Sequence, residues 1–252
     1  MLPRERLEIT KQMVIKDKKV YVSKLSEKFD VTEETIRRDL EKLEIEGVVT
    51  RTYGGAILNT ECTNEDIPFI KRARTNQDCK QKIAMKVIGL FEQGTTLVAD
   101  SSSTVVEVIK LIKNRSDMTV ITNSVEVFQE LNQFSISILS TGGSFNKNSL
   151  SFQGPVAKDT VKKYNVDIAL VSCKGMDINK GILESNEAEV ELKKVMIKQA
   201  DKVILLVDSS KFDKTSFVQL YEYKDIDCIV TDKEPNSEWL EFFSKHDIEV
   251  IY

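Results

Sequence analysis

The chain has 252 residues, a net charge of −4 and 41% hydrophobic residues, which predicts a folded protein with one small and one medium domain. No apolar run approaches the ~20 residues that cross a membrane, and the charged N-terminus lacks a secretory hydrophobic stretch, so we expect a cytoplasmic protein without a membrane partner. One histidine and four cysteines, none in a Cys-x-x-Cys pair, exclude a histidine triad and indicate neither a metal site nor a cofactor.

The first 58 residues predict three helices followed by a β-hairpin. Helical periodicity covers Pro3–Lys16 and Ser23–Phe29, and Thr32 is a good N-cap for a third helix that ends at Gly47. Two β-rich runs follow and flank the turn residues 53–55, which is a hairpin signal. This order of elements predicts a winged helix-turn-helix domain that binds DNA.

The third predicted helix has an apolar side and a basic side. Ile36, Leu40 and Leu43 share one side at helical spacing, and we expect them to face the domain core. Arg38 then points away from the core, and Arg37 lies on the flank of the apolar stripe. A helix in the major groove uses such side chains to meet base edges and phosphates.

Charge alone gives limited support to DNA binding. The predicted winged helix carries 12 Lys and Arg against 11 Asp and Glu, a net charge of +1, so binding must depend on the placement of a few basic groups. Arg37 and Arg38 are also consistent with solvated helix charges paired with Glu33, Glu34 or Glu41. Both interpretations remain open at this point.

The rest of the chain predicts a linker and an α/β domain. Residues 59–75 are polar and lack clear periodicity, which predicts the linker. Over residues 76–252, strand and helix patterns alternate, which predicts a mostly parallel sheet covered on both faces. The predicted strands are Thr96–Asp100, Thr119–Thr122, Ser135–Leu139, Asp167–Ser172, Lys202–Val207, Phe217–Tyr223, Cys228–Val230 and Glu249–Ile251. The predicted helices are Asp78–Phe91, Thr104–Lys113, Val125–Leu131, Val156–Tyr164, Glu187–Ala200 and Glu238–Ser244.

Hydroxyl, amide and glycine residues follow three successive strands of this predicted sheet. Residues 101–104 follow the first strand, Asn123 follows the second, and Gly142 and Gly143 follow the third. Ligands collect at the carboxyl ends of parallel strands, and hydroxyls at a helix N-terminus suit a phosphate. A single Ser or Thr there is usually an ordinary N-cap, but three such loops in succession favour a ligand site.

Several motifs resemble the DeoR/GlpR family of bacterial regulators. VSKLSEKFDV, TIRRDL and GVVTRTYGGA resemble its DNA-binding domain, and ADSSST, VITNS, TGGSF, SCKGMD and LLVDSSKF resemble its sensor domain. The family's sensor is similar to phosphosugar isomerases such as ribose-5-phosphate isomerase. The resemblance covers the whole chain and implies a regulator that is not an enzyme. Such a regulator binds double-stranded operator DNA as a dimer or tetramer, and a phosphorylated sugar relieves repression.

The resemblance and the spacing together assign two sets of contacts. The predicted DNA contacts are Thr32, Glu34, Thr35, Arg37, Arg38, Lys42, Arg51, Tyr53 and Gly54. The predicted effector contacts are Asp100, Ser101, Ser103, Thr104, Asn123, Gly142, Gly143, Lys174, Glu184 and Lys211. The fold class is therefore α/β, with an N-terminal winged helix-turn-helix and an isomerase-like sensor domain.

Two positions depart from the family pattern. Ser102 stands where the family loop, commonly Asp-x-Gly-Thr-Thr, has its glycine, and a positive φ would be costlier for a serine. Lys174 stands where the family often has a small residue. Its added charge either favours an anionic ligand or blocks the usual one.

Two other functions are compatible with the sequence. An aldose–ketose phosphate isomerase with an appended DNA-binding domain could use Lys174, Glu184, Glu187 and Asp208 as acid–base groups. An activator in place of a repressor is the second alternative. Turnover of ribose 5-phosphate would identify the first, and a reporter assay in a deletion strain would identify the second.

Overall fold

The computed structural model describes residues 3–45, 48–58, 67–131 and 135–252. The chain divides into two compact units, Met1–Thr63 and Asn64–Tyr252. The predicted helix end at Gly47 and residues 59–66 of the predicted linker lie outside the described residues. None of the helices in these ranges is both long and apolar enough to span a membrane.

The described part of the N-terminal unit contains three helices and a three-stranded antiparallel sheet. These elements are α1 (Pro3–Asp17), β1 (Lys19–Tyr21), α2 (Val22–Phe29), α3 (Glu33–Ile45), β2 (Val49–Thr52) and β3 (Gly55–Leu58). The strand order is β1-β3-β2, and both pairs are antiparallel. α2 and α3 form the helix-turn-helix, and β2 and β3 form the wing, so the predicted winged helix is confirmed.

The predicted apolar stripe of α3 forms the centre of this unit. Ile36, Leu40 and Leu43 are buried and pack with residues of α1 and α2. The Thr32 hydroxyl accepts a hydrogen bond from the Thr35 backbone N–H at 3.3 Å, so Thr32 caps the helix as predicted. The side of α3 opposite this stripe is left for solvent or a ligand.

One glycine of the wing is required by packing. β3 approaches β1 so closely that a Cβ on Gly55 would lie 2.0 Å from the Val20 carbonyl oxygen. Gly54 has no atom within 4 Å of the corresponding position. The need for glycine therefore arises between two strands of the sheet at Gly55, and the hairpin tip at Gly54 imposes no such requirement.

The C-terminal unit is built on a seven-stranded parallel sheet. In spatial order its strands are β15 (Glu249–Ile251), β14 (Cys228–Val230), β12 (Ala200–Leu206), β9 (Val166–Ser172), β4 (Thr96–Ala99), β5 (Thr119–Thr122) and β6 (Ser137–Ser140). Each adjacent pair is parallel, as predicted. The chain proceeds outwards from β4 through β5 and β6 and then returns to β9. The carboxyl ends of strands at such a reversal form a crevice where ligands bind.

Helices cover both faces of this sheet. They are α4 (Phe69–Arg74), α5 (Gln77–Val87), α6 (Ser103–Ile112), α7 (Val125–Leu131), α8 (Pro155–Val161), α9 (Glu187–Lys198) and α10 (Ser237–Lys245), with short 3-10 helices at Ile88–Leu90, Ser209–Lys211 and Tyr223–Asp225. Val98 of β4 packs with α9 and α10 in one buried cluster, whereas Leu97 and Ala99 pack with α5 and α6 in another. Two apolar layers therefore enclose the sheet, as expected for parallel strands.

Three features of this unit differ from the sequence-based prediction. Residues 69–74, assigned to the linker, form α4, and Phe69 is buried in the cluster beneath α5 and α6. The strands β7 (Ser144–Asn146) and β8 (Ser151–Gln153) were not predicted, and they form an antiparallel hairpin. The strands β10 (Gly175–Asp177) and β11 (Gly181–Glu184) were not predicted either. They form a separate antiparallel sheet with β13 (Val218–Tyr221). Elements this short show too little periodicity to be recognised in sequence.

Candidate functional sites

The solvent-facing side of α3 bears two arginines. The side chain of Arg38 is 73% exposed and that of Arg37 is 52% exposed. Arg37 pairs with Glu33 at 2.6 Å, and Arg38 lies 3.5 Å from Glu34. The arginines are thus both accessible and paired, so the two interpretations of their role are compatible. Because exposed helix pairs contribute only about 0.3–0.5 kcal/mol, an external anion can replace these glutamates at little cost.

The wing places two further predicted residues at the surface. Arg51 donates from its Nε to Glu44 of α3 at 2.8 Å, and Tyr53 at the hairpin turn is fully exposed. The remaining predicted DNA contacts, which are exposed or half-buried, are Thr32, Glu34, Thr35, Lys42 and Gly54. All of the predicted DNA contacts are therefore at the surface of the N-terminal unit.

A buried charged network lies at the carboxyl ends of β4 and β9. The Lys193 ammonium of α9 lies 3.0 Å from the Asp100 carboxylate and 2.7 Å from the Glu184 carboxylate. Lys193 also donates to the Ser172 carbonyl oxygen at 2.8 Å. Asp100 accepts backbone hydrogen bonds from Ser102 and Ser172 at 2.8 and 2.9 Å. The network thus joins the ends of β4, β9 and β11 to α9.

Burial and charge oppose each other in this network. Burial alone would lower the pKa of Lys193, but Asp100 and Glu184 outweigh it and raise that pKa well above its ordinary value. Burial alone would raise the pKa of Glu184, but Lys193 and Lys174 hold it below its ordinary value. Lys193 and Glu184 are therefore ionised at neutral pH, and removing either would leave an unpaired buried charge.

Two more charged side chains adjoin this network. The Lys174 ammonium lies 3.7 Å from Glu184, and its side chain is 18% exposed. Burial and, more weakly, the Arg72 guanidinium of α4 lower the pKa of Lys174, against the effect of Glu184. Glu189 is buried and accepts a 3.4 Å hydrogen bond from Gln153; burial and the charge of Glu184 raise its pKa. The unusual lysine at position 174 is therefore accommodated by a carboxylate partner.

The turn between α4 and α5 brings polar groups to the carboxyl end of β12. The Asn76 side-chain N–H donates to the Asp208 carboxylate at 3.2 Å. The buried Lys80 ammonium donates to the carbonyl oxygens of Arg72 and Thr75, and burial lowers its pKa to about 8. Because the residues up to Thr75 were assigned to a linker, the contribution of this turn was not predicted.

The predicted hydroxyl residues after β4 differ in their roles. Ser102 has φ −73°, and its hydroxyl accepts the Val105 N–H at 3.2 Å, so it is the N-cap of α6. No positive φ is needed at Ser102, and its departure from glycine therefore brings no backbone strain. Ser103 and Thr104 are buried in the first turn of α6, and Ser101 is buried just before its N-cap.

Asn123, after β5, has an unused hydrogen-bond acceptor. The residue is 4% exposed, and its side-chain N–H donates to the Phe152 carbonyl oxygen at 3.0 Å. Its Oδ1 is buried without a hydrogen-bond partner among the described residues. The register places Asn123 beside Asp100, because Ala99 of β4 pairs with Thr122 of β5. This buried carbonyl oxygen is therefore an acceptor that is open to a ligand or a water molecule at this edge.

The two predicted glycines and Lys211 occupy different surroundings. Gly143 has φ +113°, and a Cβ there would lie 2.5 Å from the Gln153 carbonyl oxygen, so the close approach of β8 requires a glycine at this position. Gly142 has φ +61° and only one contact, with Val156 at 3.9 Å. Lys211 ends the 3-10 helix that follows β12. The residues gathered around the β4–β9 crevice are Asp100, Ser101, Ser103, Thr104, Asn123, Lys174 and Glu184.

Lys193 and Arg72 are polar residues of this edge that the sequence-based prediction lacks. Lys193 lies three residues after Val190 and three before Met196, all on the buried side of α9. A lysine on an apolar stripe requires an anionic partner. Its position in the helical pattern could therefore have identified Lys193 as a buried, paired residue. The segment around Arg72 offers no comparable signal because its helix is only six residues long.

Family comparisons agree with this geometry. Residues 6–62 match the DeoR-like helix-turn-helix domain, and residues 75–233 match the DeoR C terminal sensor domain. A winged helix joined to a sensor defines the class: a DNA-binding transcriptional regulator. The chain belongs to the DeoR family, as the motifs predicted.

Three relatives are similar over most of their length. An uncharacterized HTH-type transcriptional regulator, YulB, of Bacillus subtilis is 39% identical over 92% of this chain and 90% of its own. The L-fucose operon activator of Haemophilus influenzae is 33% identical over 98% of both chains. A putative aga operon transcriptional repressor of Escherichia coli O157:H7 is 30% identical over 98% of this chain and 93% of its own. These relatives are regulators, in agreement with the prediction that the chain is not an enzyme.

A solved structure is similar to part of the chain. Ribose 5-phosphate isomerase A of Methanocaldococcus jannaschii matches with a TM-score of 0.41 and 20% identity, over 54% of this chain and 55% of that one. The chain thus spans about half the length of that isomerase. The predicted α/β fold class is confirmed by the chain's own seven-stranded parallel sheet.

Proposed function

We propose that the protein represses a sugar-metabolism operon and that a phosphorylated sugar relieves the repression. Effector binding is supported by one observation. The buried Asn123 Oδ1 lacks a hydrogen-bond partner among the described residues and lies beside the charged network. The names of two relatives, an L-fucose operon activator and a putative aga operon repressor, support control of a sugar operon. The protein would act in the cytoplasm, where its operator is.

In this proposal α3 enters the major groove of the operator. Its exposed Arg37 and Arg38 and the half-buried Thr35 would meet base edges and phosphates, and each well-placed arginine–guanine contact would contribute about 1–3 kcal/mol of discrimination. Arg51 and Tyr53 of the wing would touch the DNA backbone or minor groove. The weak pairs of Arg37 and Arg38 with glutamates support this role because DNA can displace them.

The effector would bind at the carboxyl ends of β4 and β5. Its phosphate would lie near the N-terminus of α6, where backbone N–H groups and the hydroxyls of residues 101–104 favour an anion. Lys174 would add positive charge, and Asn123 Oδ1 would accept a hydrogen bond from a sugar hydroxyl. Glu184 would keep Lys174 in place.

Operator binding would require more than one copy of the chain. Helix-turn-helix proteins usually read paired half-sites as dimers, so we propose a homodimer or a tetramer. The effector would favour the arrangement that does not fit DNA, through a difference in its affinity for the two arrangements.

The proposed domains are a DNA-binding domain over residues 1–58, a linker and a sensor. The linker was predicted over residues 59–75. Because Phe69 of α4 is buried in the sensor core, we propose that the linker ends before residue 67 and that α4 belongs to the sensor.

A gel-shift assay with the DNA upstream of its own gene tests the proposal. We expect retardation at low salt, and release on addition of one member of a panel of sugar phosphates that also raises the melting temperature of the protein. Absence of retardation with folded protein would reject the function, and turnover of the sugar phosphate would identify an isomerase instead. Reporter expression in a deletion strain should rise for a repressor and fall for an activator.

A further inference from the structure

The β7–β8 hairpin is joined by hydrogen bonds to the segment that follows β5. Asn123 and Phe152 exchange two of these bonds. The Phe152 N–H donates to the Asn123 carbonyl oxygen at 2.8 Å, and the Asn123 side-chain N–H donates to the Phe152 carbonyl oxygen at 3.0 Å. The Val125 N–H donates to the Leu150 carbonyl oxygen at 2.8 Å. The position of the hairpin therefore depends on the Asn123 amide, whose Oδ1 is open to a ligand.

The same hairpin also holds the start of α4. The Phe69 N–H donates to the Asn148 carbonyl oxygen in the hairpin turn at 2.7 Å. Pro68, the N-cap residue of α4, offers no side-chain acceptor, so the hairpin satisfies one of the free N–H groups of this helix start. The Phe69 ring is buried in a cluster that Leu150 of the hairpin also contacts. Because α4 is the first helix after the proposed linker, the hairpin holds the point where the chain enters the sensor.

The hairpin turn contains a bulky residue in an unfavourable backbone conformation. Leu150 has φ +50°, in the left-handed region that leucine rarely adopts. Such a conformation persists only where the surrounding contacts impose it. Here they are the hydrogen bond from Val125, the buried cluster around Phe69, and the flanking hydroxyls of Ser149 and Ser151, which lie 2.8 Å apart. Loss of contacts at either end would allow Leu150 to relax, and both ends of the hairpin would then change together.

We propose that the β7–β8 hairpin couples the Asn123 edge of the sensor to the start of α4. The hydrogen bond of the Asn123 amide and the docking of Phe69 form and break together, through the conformation of Leu150. An effector hydroxyl that donates to Asn123 Oδ1 would polarise this amide and strengthen its N–H bond to Phe152. The first helix after the linker would then be held more firmly. This last step rests on the effector binding proposed above, whereas the coupling itself needs no ligand.

Hydrogen exchange on the full chain measures the coupling without DNA or sugar. Mass spectrometry follows fragments that cover residues 67–74, 147–153 and 200–206, and the last of these, from β12 of the parallel sheet, is the reference for the other two. Asn123→Ala removes the side-chain hydrogen bond to Phe152. We expect exchange over residues 67–74, relative to the reference, to become about 5- to 150-fold faster, the range for a coupling between two sites.

The reverse experiment starts from Phe69. Because a coupling between two sites is reciprocal, a change at Phe69 must also alter the hairpin. Phe69→Leu weakens packing in the buried cluster that Leu150 contacts, and it keeps an apolar side chain there. We expect exchange over residues 147–153, relative to the same reference, to become faster by a similar factor.

Each variant has a matched control away from the hairpin. Asn236→Ala removes an asparagine whose side chain also bonds to the backbone, since it accepts the Trp239 N–H at the start of α10. Phe91→Leu makes the same substitution as Phe69→Leu at a second phenylalanine of the same buried cluster. We expect both controls to leave the two relative exchange rates at their wild-type values.

The outcomes separate this inference from the proposed function. Faster exchange only at the substituted end would overturn the coupling, and so would equal changes in the controls. If Asn123→Ala shows no cooperative melting transition, Phe69→Leu and its control decide the question alone. A coupled protein that binds no operator in the gel shift would reject the function and retain the coupling, whereas operator binding without coupled exchange would do the reverse.

Discussion

The two units of the chain use charge in opposite ways. In the N-terminal unit, Arg37 and Arg38 form exposed pairs with neighbours on their own helix. In the C-terminal unit, Lys193 is buried between Asp100 and Glu184. Exposed pairs contribute about 0–1 kcal/mol, whereas breaking a buried pair costs about 3–5 kcal/mol. The exposed cations can therefore exchange partners with an external anion, while the buried ones maintain the shape of the crevice.

One pair in the N-terminal unit follows the pattern of the sensor. Arg6 of α1 donates from its Nε to the Asp39 carboxylate of α3 at 2.5 Å, and both side chains are buried. The residue next to Asp39 is the exposed Arg38. A buried pair thus anchors α3 to α1 directly beside the surface that we propose meets DNA.

The largest expected effect is that of removing the central cation of the sensor. Lys193→Met leaves the Asp100 carboxylate buried without a counter-charge and leaves Glu184 with Lys174 alone, at 3.7 Å, so we expect the free energy of unfolding to fall by about 3–5 kcal/mol. Urea denaturation measures it. The control is Lys194→Met, because Lys194 is an exposed neighbour on the same helix, and we expect a change within about 0.5 kcal/mol. Equal effects in the two variants would refute the contrast between buried and exposed charge.

The same network predicts a dependence of stability on acidity. The pKa of Glu184 is lower in the folded protein than the ordinary pKa of a glutamate. Ionised Glu184 therefore stabilises the folded state above that ordinary pKa, and this stabilisation is lost as the pH falls below about 4. We expect the free energy of unfolding to decrease over this range, and Glu184→Gln to decrease less steeply. Parallel curves for the two proteins would show that Glu184 is not stabilised by Lys193.

A smaller loss of stability is expected in the N-terminal unit. Asp39→Ala leaves the Arg6 guanidinium buried without its carboxylate, at a cost of about 3 kcal/mol. Because α3 is then less firmly held, proteolysis should cleave the N-terminal unit before the sensor. Arg6→Met together with Asp39→Leu removes both charges and should restore much of the lost stability. If the double variant is no more stable than Asp39→Ala, the pair is not the cause.

The smallest effect is expected for an exposed glutamate of α3. Glu33→Gln removes the shorter of the two ion pairs of Arg37, whose other glutamate, Glu34, lies at 4.0 Å, and should change the free energy of unfolding by about 1 kcal/mol or less. The affinity of this variant for DNA should rise slightly, because Arg37 gives up one glutamate fewer when it meets a phosphate. Thermal unfolding and anisotropy measure the two quantities, and a loss of DNA affinity would show that the glutamate contributes to the interface.

The strongly periodic parts of the fold could be predicted from sequence. The stripe of Ile36, Leu40 and Leu43 identified α3, and the apolar strands identified the parallel sheet. The pairs of Arg37 and Arg38 with Glu33 and Glu34 could also be predicted, from helical spacing. Ion pairs between distant segments could not, because Lys193 meets Asp100 only through the register of β4 and β9 and the packing of α9. Neither spacing nor composition specifies such a meeting of distant segments.

Packing also changes the role of residues whose type suggested a ligand. Gly143 was predicted to let a ligand approach, and the structure gives a second reason for the glycine, because a Cβ there would lie 2.5 Å from the Gln153 carbonyl oxygen of β8. Ser102 was expected to be costly in place of glycine, but its φ of −73° suits a serine N-cap. In both cases the residue type indicated a backbone constraint, and only the neighbouring strands and helices determine which constraint it is.

We propose that exposed cations of α3 make the contact with the operator, whereas effector binding depends on the sensor alone. Arg38→Ala tests it most directly, with operator binding measured by gel shift and sugar-phosphate binding measured by calorimetry on the same protein. We expect specific operator binding to be lost, with sugar-phosphate affinity and melting temperature equal to those of the wild type. Retention of operator binding, or loss of sugar-phosphate binding in the folded variant, would contradict the account.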